Sequence, residues 1–227
     1  TTHIPQDGIL VANKDDKNIQ SILAESNAKV QGYSLKQKEA DILREILKIP
    51  GEHNVSNALA ALAVARTLGI KDKTSLKALG QFRGSWRRFE IFQLKTLDAK
   101  RYTLVSDYGH HPTEIRVTVK AAREKWPKKK IWLVFQPHQY QRTYYLWKDF
   151  VRVLSTLPAE KLILTDIYDV AGREETQIKK KVSSEKLEEA IKKFRNLKLE
   201  IRNSEVLYIP TLKEVEIWID RVLDAQS

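Results

Sequence analysis

The chain alternates between short continuous apolar runs and longer stretches with helical spacing. Ile9 to Asn13 is a short apolar strand that ends in polar residues, and Asp16 is placed to cap a helix from Lys17 to about Glu25. Ala28 to Tyr33 reads as a second strand, so the opening strand–helix–strand unit predicts a parallel sheet. Residues 34–47 are charged and partly helical in pattern. Gly51-Glu-His-Asn54 reads as a polar turn. After it, Val55, Leu59, Leu62, Ala63 and Ala65 recur at helical spacing as far as Leu68, and Gly69 stops the helix. A shorter helix from Lys73 to Leu79 is closed by Gly80.

The second half is more regular. Phe89 to Leu97 and Arg101 to Ser106 predict two strands around a turn at 98–100. Then come a helix over Pro112–Glu124, a strand over Ile131–Phe135, a helix over Tyr144–Leu154, and a strand over Leu162–Leu164. A helix over Ser184–Phe194, a strand over Val206–Ile209 and a helix over Leu212–Leu223 complete the pattern. The continuous run Ile131-Trp-Leu-Val-Phe135 has the character of a strand in a parallel sheet. This alternation predicts an α/β chain: a Rossmann-like, doubly wound, mostly parallel sheet over 85–227, preceded by a different α/β region over 1–84. The irregular, arginine-rich segment from Gln81 to Glu90 marks the boundary.

Composition narrows the class only modestly. Of 227 residues, 42% are hydrophobic and 30% charged, as in ordinary globular proteins. No apolar run is long enough to span a bilayer, so membrane insertion is not expected. Zero cysteines exclude disulfides and thiolate metal sites and fit a cytoplasmic location. Zero methionines, with a Thr-Thr-His start, suggest a piece of a longer product. The net charge of +11 suits nucleic acid, acidic membranes or phosphorylated small molecules. Its main lysine runs, 128–130, 179–181 and 192–193, lack interleaved aromatics and read as solvated surface. A nucleic-acid-binding domain is therefore the weakest of the readings, and no nucleic-acid partner is expected.

Three polar clusters follow strands in the second half: Asp107-Tyr-Gly-His-His111, Gln136-Pro-His-Gln-Tyr-Gln-Arg-Thr143 and Thr165-Asp-Ile-Tyr-Asp169. Ligands bind open α/β sheets at the carboxyl ends of strands, so His110, His138, Arg142 and Asp166 are candidates for one site. Pro112 suits a first helical position, and Glu114 suits the positive end of the helix dipole. No His-Glu-x-x-His, Gly-x-Ser-x-Gly, Walker-type or Gly-x-Gly-x-x-Gly motif is present. What remains is a basic, histidine-bearing site suited to anions, with arginine available for two-pronged contacts to carboxylate or phosphate.

Four segments in order resemble the Mur ligase family, and most closely its alanine-adding branch. They are Gly51-Glu-His-Asn-Val-Ser-Asn57-Ala-Leu-Ala-Ala61, Phe82-Arg-Gly-Ser-Trp-Arg-Arg-Phe-Glu90, Asp107-Tyr-Gly-His-His-Pro-Thr-Glu-Ile115 and Phe135-Gln-Pro-His-Gln-Tyr-Gln-Arg-Thr143. Asp166-Ile-Tyr168 also fits. The Gln-Pro-His segment favours that branch over the muropeptide-recycling and later ligases. The resemblance covers the later part of the family's central ATP-binding domain and its whole carboxyl-terminal domain. The family's P-loop lysine, acidic magnesium ligands and UDP-binding domain have no counterpart in these residues.

The resemblance implies ATP and Mg2+ as cofactors, with the metal ligands outside this chain and none within it. It implies UDP-N-acetylmuramate and L-alanine as partners, joined through an acyl phosphate in peptidoglycan synthesis, with these residues inactive by themselves without the amino-terminal and P-loop segments. His53, Asn54 and Asn57 would line the adenine pocket, although Asn54 also reads as a helix cap. Arg88 and Asp107 would contact ATP, or would pair as a domain-interface salt bridge. Tyr108 and His110 would hold L-alanine and the reacting acyl group, and His138 and Arg142 would bind its carboxylate. His110 and Arg142 are the catalytic candidates. Gln139 departs from the arginine frequent in the family. The alternative is a stand-alone nucleotide- or amino-acid-binding module without catalytic activity.

Overall fold

A computed structural model describes residues 4–5, 7–24, 26–95, 101–172, 175–197 and 204–224. They form two compact units, 1–107 and 108–227.

In the first unit, β1 (Ile9–Asn13) pairs in parallel with β2 (Lys29–Tyr33), joined through α1 (Lys17–Ala24). Asp16 accepts from the backbone N–H of Asn18 at 2.8 Å, satisfying one of the donors left over at a helix start. The expected end of α1 at Glu25 lies outside the described residues. Three helices follow: α2 (Glu39–Ile46), α3 (Glu52–Thr67) and α4 (Asp72–Gln81). Ala40 and Leu43 of α2 pack on Val55, Ala58 and Leu59 of α3 as the core. Arg66 ties this bundle together, bonding Glu39 at 2.5 Å and Asp72 at 2.6 Å.

Two expectations need correction here. The segment expected as a polar turn, Gly51 to Asn54, is the start of α3, because Gly51 takes φ +100° and lets the helix begin at Glu52. Gly80 does not close α4, which runs through it to Gln81. Gly69 does end α3, with φ +71°.

Then β3 (Glu90–Lys95) and β4 (Arg101–Ser106) form an antiparallel hairpin, whose expected turn at 98–100 lies outside the described residues. This hairpin falls within the first unit.

That sheet has the order β5 (Trp132–Phe135), β6 (Lys161–Leu164) and β7 (Glu205–Tyr208), all parallel. Around it run α5 (Pro112–Lys125), α6 (Tyr140–Tyr145), α7 (Trp147–Thr156), α8 (Thr176–Lys179), α9 (Ser184–Leu197) and α10 (Leu212–Asp224). The core joins Leu162 and Leu164 of β6 to Phe150 and Leu154 of α7, Leu187 and Ile191 of α9, and Ile115 of α5. Alternation puts Ile163, also fully buried, on the opposite face of the strand. The single helix expected over Tyr144–Leu154 is two, broken at Leu146, and α6 begins at Tyr140.

Arg195 of α9 is buried, and donates to the carbonyls of Leu154 and Ser155 at 3.0 and 3.1 Å and of Ser204 at 3.0 Å. Leu154 and Ser155 belong to the last turn of α7, where carbonyls lack helical partners and the dipole favours a cation. Burial lowers the pKa of this guanidinium.

Candidate functional site

Each half of the site is set up by local backbone chemistry. His111 takes extended backbone before Pro112, and its ring Nδ1 accepts from the Thr113 N–H at 3.2 Å. In return Oε2 of Glu114 accepts from the N–H groups of His110 at 2.9 Å and His111 at 3.1 Å. This capping box assigns the two adjacent histidines different tasks. His111 is the cap of α5, and His110 is the residue presented to the site.

The second cluster continues from β5. An isolated parallel bridge joins His138 to Tyr168, with Gln139 N–H donating to the Tyr168 carbonyl at 3.0 Å and Tyr168 N–H to the Pro137 carbonyl at 2.8 Å. Gln139 then takes φ +74° as it enters α6, a region that side chains other than glycine rarely occupy. The turn sends Arg142 back over His138. Its Nη1 meets His138 Nδ1 at 3.2 Å and donates to the His138 carbonyl at 3.0 Å.

The rings converge. Tyr108 lies 5.5 Å from His110 in a T-shaped pair and 6.4 Å from His138, and the two imidazoles are 5.9 Å apart. Tyr168 stacks on His138 at 5.2 Å and 14°. The structure therefore brings together four residues singled out in the sequence, Tyr108, His110, His138 and Arg142. It adds Tyr168, a member of the third polar cluster whose contact with His138 depends on the bridge.

The hydrogen bonds fix where the protons sit. His110 Nδ1 lies 3.1 Å from the Tyr108 carbonyl, an oxygen that only accepts, so Nδ1 carries the hydrogen and Nε2 the lone pair. His138 Nδ1 faces a guanidinium nitrogen that only donates, so Nδ1 carries the lone pair and Nε2 the hydrogen. The two imidazoles thus hold opposite tautomers, one ready to accept a proton and the other to donate a hydrogen bond. Glu114 Oε2 lies 3.9 Å from His110 Nδ1.

Asp166 belongs to the third cluster. Its Oδ1 accepts from the Tyr208 hydroxyl at 2.5 Å, and its carbonyl accepts from Gln136 Nε2 at 3.4 Å. That bond holds the Tyr208 phenol above its ordinary range, at about 12. Asp169 is bound by Lys179 of α8 at 2.5 Å.

The other candidate residues lie in the first unit. His53 and Asn57 lie one turn apart on one face of α3, while Asn54 stands one turn before the buried Ala58. Asn54 Nδ2 donates to the Pro50 carbonyl at 2.6 Å, so its side chain braces the turn entering α3. Arg88 sits between Arg87 and Phe89, which take φ +54° and +50°. The buried Phe89 donates its N–H to Asp107 Oδ2 at 2.9 Å. Asp107 thereby ties the end of β4 to the arginine-rich turn. A cavity of about 510 Å³ also lies in this unit, against Leu10, Val11, Asn13, Ile19 and Leu23. It contains none of the candidate side chains. Among the described residues no group of three or more His, Asp or Glu could hold a metal ion, and no helix is long and apolar enough to cross a membrane.

Residues 87–222 match the family model described as Mur ligase, glutamate ligase domain. The UDP-N-acetylmuramate–L-alanine ligase of Nitrosomonas eutropha is 39% identical over 199 residues, covering 76% of this chain and 41% of that protein. Its counterpart from Burkholderia multivorans is 39% identical over 191 residues, covering 74% and 41%. Among solved structures, the UDP-N-acetylmuramate-alanine ligase of Thermotoga maritima aligns with TM-score 0.51 at 27% identity, over 79% of this chain and 40% of that one. MurF of Acinetobacter baumannii, at 17% identity, shares the fold with TM-score 0.63 over 100% of this chain and 48% of that one. The chain spans about two-fifths of the length of the curated relatives it matches. By the family model and these relatives together, the chain belongs to the Mur ligase family.

Proposed function

We propose that this chain is the carboxyl-terminal portion of an ATP-dependent ligase that joins L-alanine to UDP-N-acetylmuramate in the cytoplasm, during peptidoglycan synthesis. The observation that carries the reading is the meeting of Tyr108, His110, His138 and Arg142 in one cluster. The relatives named for this activity lend it support. The domain boundary is proposed at 84/85, close to the start of the family match at residue 87.

In this reading the second unit takes the amino acid. The Arg142 guanidinium and the Nε2–H of His138 bind its carboxylate, a charge-assisted pairing suited to an anion. Tyr108 borders the reacting acyl group. The amine, once deprotonated, attacks the carbonyl carbon of the acyl phosphate. A carbon–nitrogen bond forms, the carbon–oxygen bond to phosphate breaks, and inorganic phosphate leaves. The proton shed by the amine passes to Nε2 of His110. His53, Asn54, Asn57, Arg88 and Asp107 serve ATP, the first three at the adenine. Mg2+, when bound with ATP, supplies neutralisation of phosphate charge. Its ligands are expected outside this chain.

The test is amide formation. The polypeptide carrying this sequence in full is given UDP-N-acetylmuramate, ATP–magnesium and, in turn, L-alanine, glycine and L-serine. Release of ADP with formation of the L-alanyl product supports the reading. Absence of product with all three amino acids, under conditions where ATP binds, would favour the non-catalytic binding module.

A further inference from the structure

We infer that Tyr168 is a positioning residue, which holds the His138 imidazole in the plane and tautomer needed to donate a hydrogen bond from Nε2. The inference deepens the reading of this cluster as an amino-acid site and rests on it. Tyr168 is 53% exposed, so burial gives it little reason to be an aromatic residue. Its ring stacks nearly parallel on His138 at 5.2 Å and 14°. The backbone around it is fixed independently of that ring. The bridge between His138 and Tyr168 is closed by the two N–H donations to the Tyr168 and Pro137 carbonyls. Paired residues across a bridge project to the same face, so the stack is a cross-strand pair built into the ladder.

Beside the tilted Tyr108 and His110 rings at 6.4 and 5.9 Å, Arg142 and Tyr168 act on His138 in different ways. Arg142 sets which nitrogen carries the lone pair, through a bond at the edge of the ring. An edge contact alone leaves the ring able to turn about its χ2 bond, which for histidine is a broad torsion. Tyr168 covers one face in a near-parallel stack and narrows that freedom. The segment that carries it is anchored further along, because Asp166 accepts from Tyr208 and Asp169 pairs with Lys179. The Asp166–Tyr168 segment therefore acts on the amino-acid site through the His138 imidazole.

The test uses the whole chain and reads the imidazole directly. Two-bond nitrogen–hydrogen NMR spectra report the tautomer of each histidine, and L-alanine titration reports affinity. In the unmodified chain, His138 is expected as a single Nε2–H tautomer at neutral pH. Tyr168→Phe keeps the ring and is expected to preserve that signature. Tyr168→Ala is expected to give tautomer-averaged signals, with L-alanine affinity weakened about three- to tenfold, the range of an aromatic pair. A His138 signature unchanged in Tyr168→Ala would overturn the inference, as would an equal loss in Tyr168→Phe. If the unmodified chain takes up no L-alanine, the amino-acid reading fails, and the tautomer signature alone then decides the positioning claim.

Discussion

Tyr208 donates its hydroxyl hydrogen to Oδ1 of Asp166 across 2.5 Å, joining the end of β7 to the polar segment that follows β6. The carboxylate keeps the phenol protonated, raising it from 10.0 to about 12. A group raised in the folded state stabilises fully below its unfolded value. That contribution is lost as pH climbs through the folded value, so the window runs from about 10 to about 12. Tyr208→Phe is expected to make the alkaline fall in stability shallower across that window. Urea denaturation on both sides of it, for the unmodified chain and the variant, measures the difference.

Glu114 accepts from the N–H groups of both His110 and His111, so it couples the start of α5 to the site histidine. Glu114→Ala removes one side of the capping box and is expected to cost about 1 kcal/mol of stability. Glu114→Gln keeps an acceptor and is expected to cost less. Amide hydrogen exchange at residues 110–114 checks this, with faster exchange expected in the alanine variant.

Arg195 supplies three donors to backbone carbonyls in a buried setting. Arg195→Met retains much of the apolar stem but leaves those carbonyls without their donors, at an expected cost of about 3 kcal/mol. Arg195→Lys is expected to recover only part of the loss, since one ammonium cannot reproduce the planar fork. Denaturant midpoints of the three proteins give the comparison.

Gln139 holds φ +74° at the entry to α6. Glycine takes that conformation without steric cost, so Gln139→Gly is expected to stabilise the fold by about 1 kcal/mol. Thermal melting checks the sign. A loss of stability would show that the glutamine side chain contributes more than its backbone costs.

Much of this was legible from periodicity and chemistry. β1, β4 and the three parallel strands of the second unit fell where apolar runs placed them. Strand-end polar clusters pointed to His110, His138, Arg142 and Asp166 as neighbours; the first three do meet, while the Asp166 carboxylate is bonded by Tyr208. Helix starts were harder, because a polar first turn such as Glu52-His-Asn54 looks like a loop until Gly51 is seen at positive φ. The capping role of His111, whose ring accepts from Thr113, has no mark in the sequence beyond its place before Pro112. The division at Leu146 also escaped detection, because Arg142 and Thr143 looked like loop residues rather than part of α6. Tyr168 was the least visible, since its stack on His138 arises from a bridge between segments 30 residues apart and not from any local spacing.

The most direct measurement is calorimetric titration of L-alanine into the unmodified chain and into Arg142→Ala. Saturable one-to-one uptake, weakened about tenfold or more in the variant, is the expected result for a guanidinium that binds the carboxylate. Uptake of equal affinity in both proteins, or none in the unmodified chain, would contradict the assignment of the Tyr108, His110, His138 and Arg142 cluster as the amino-acid site.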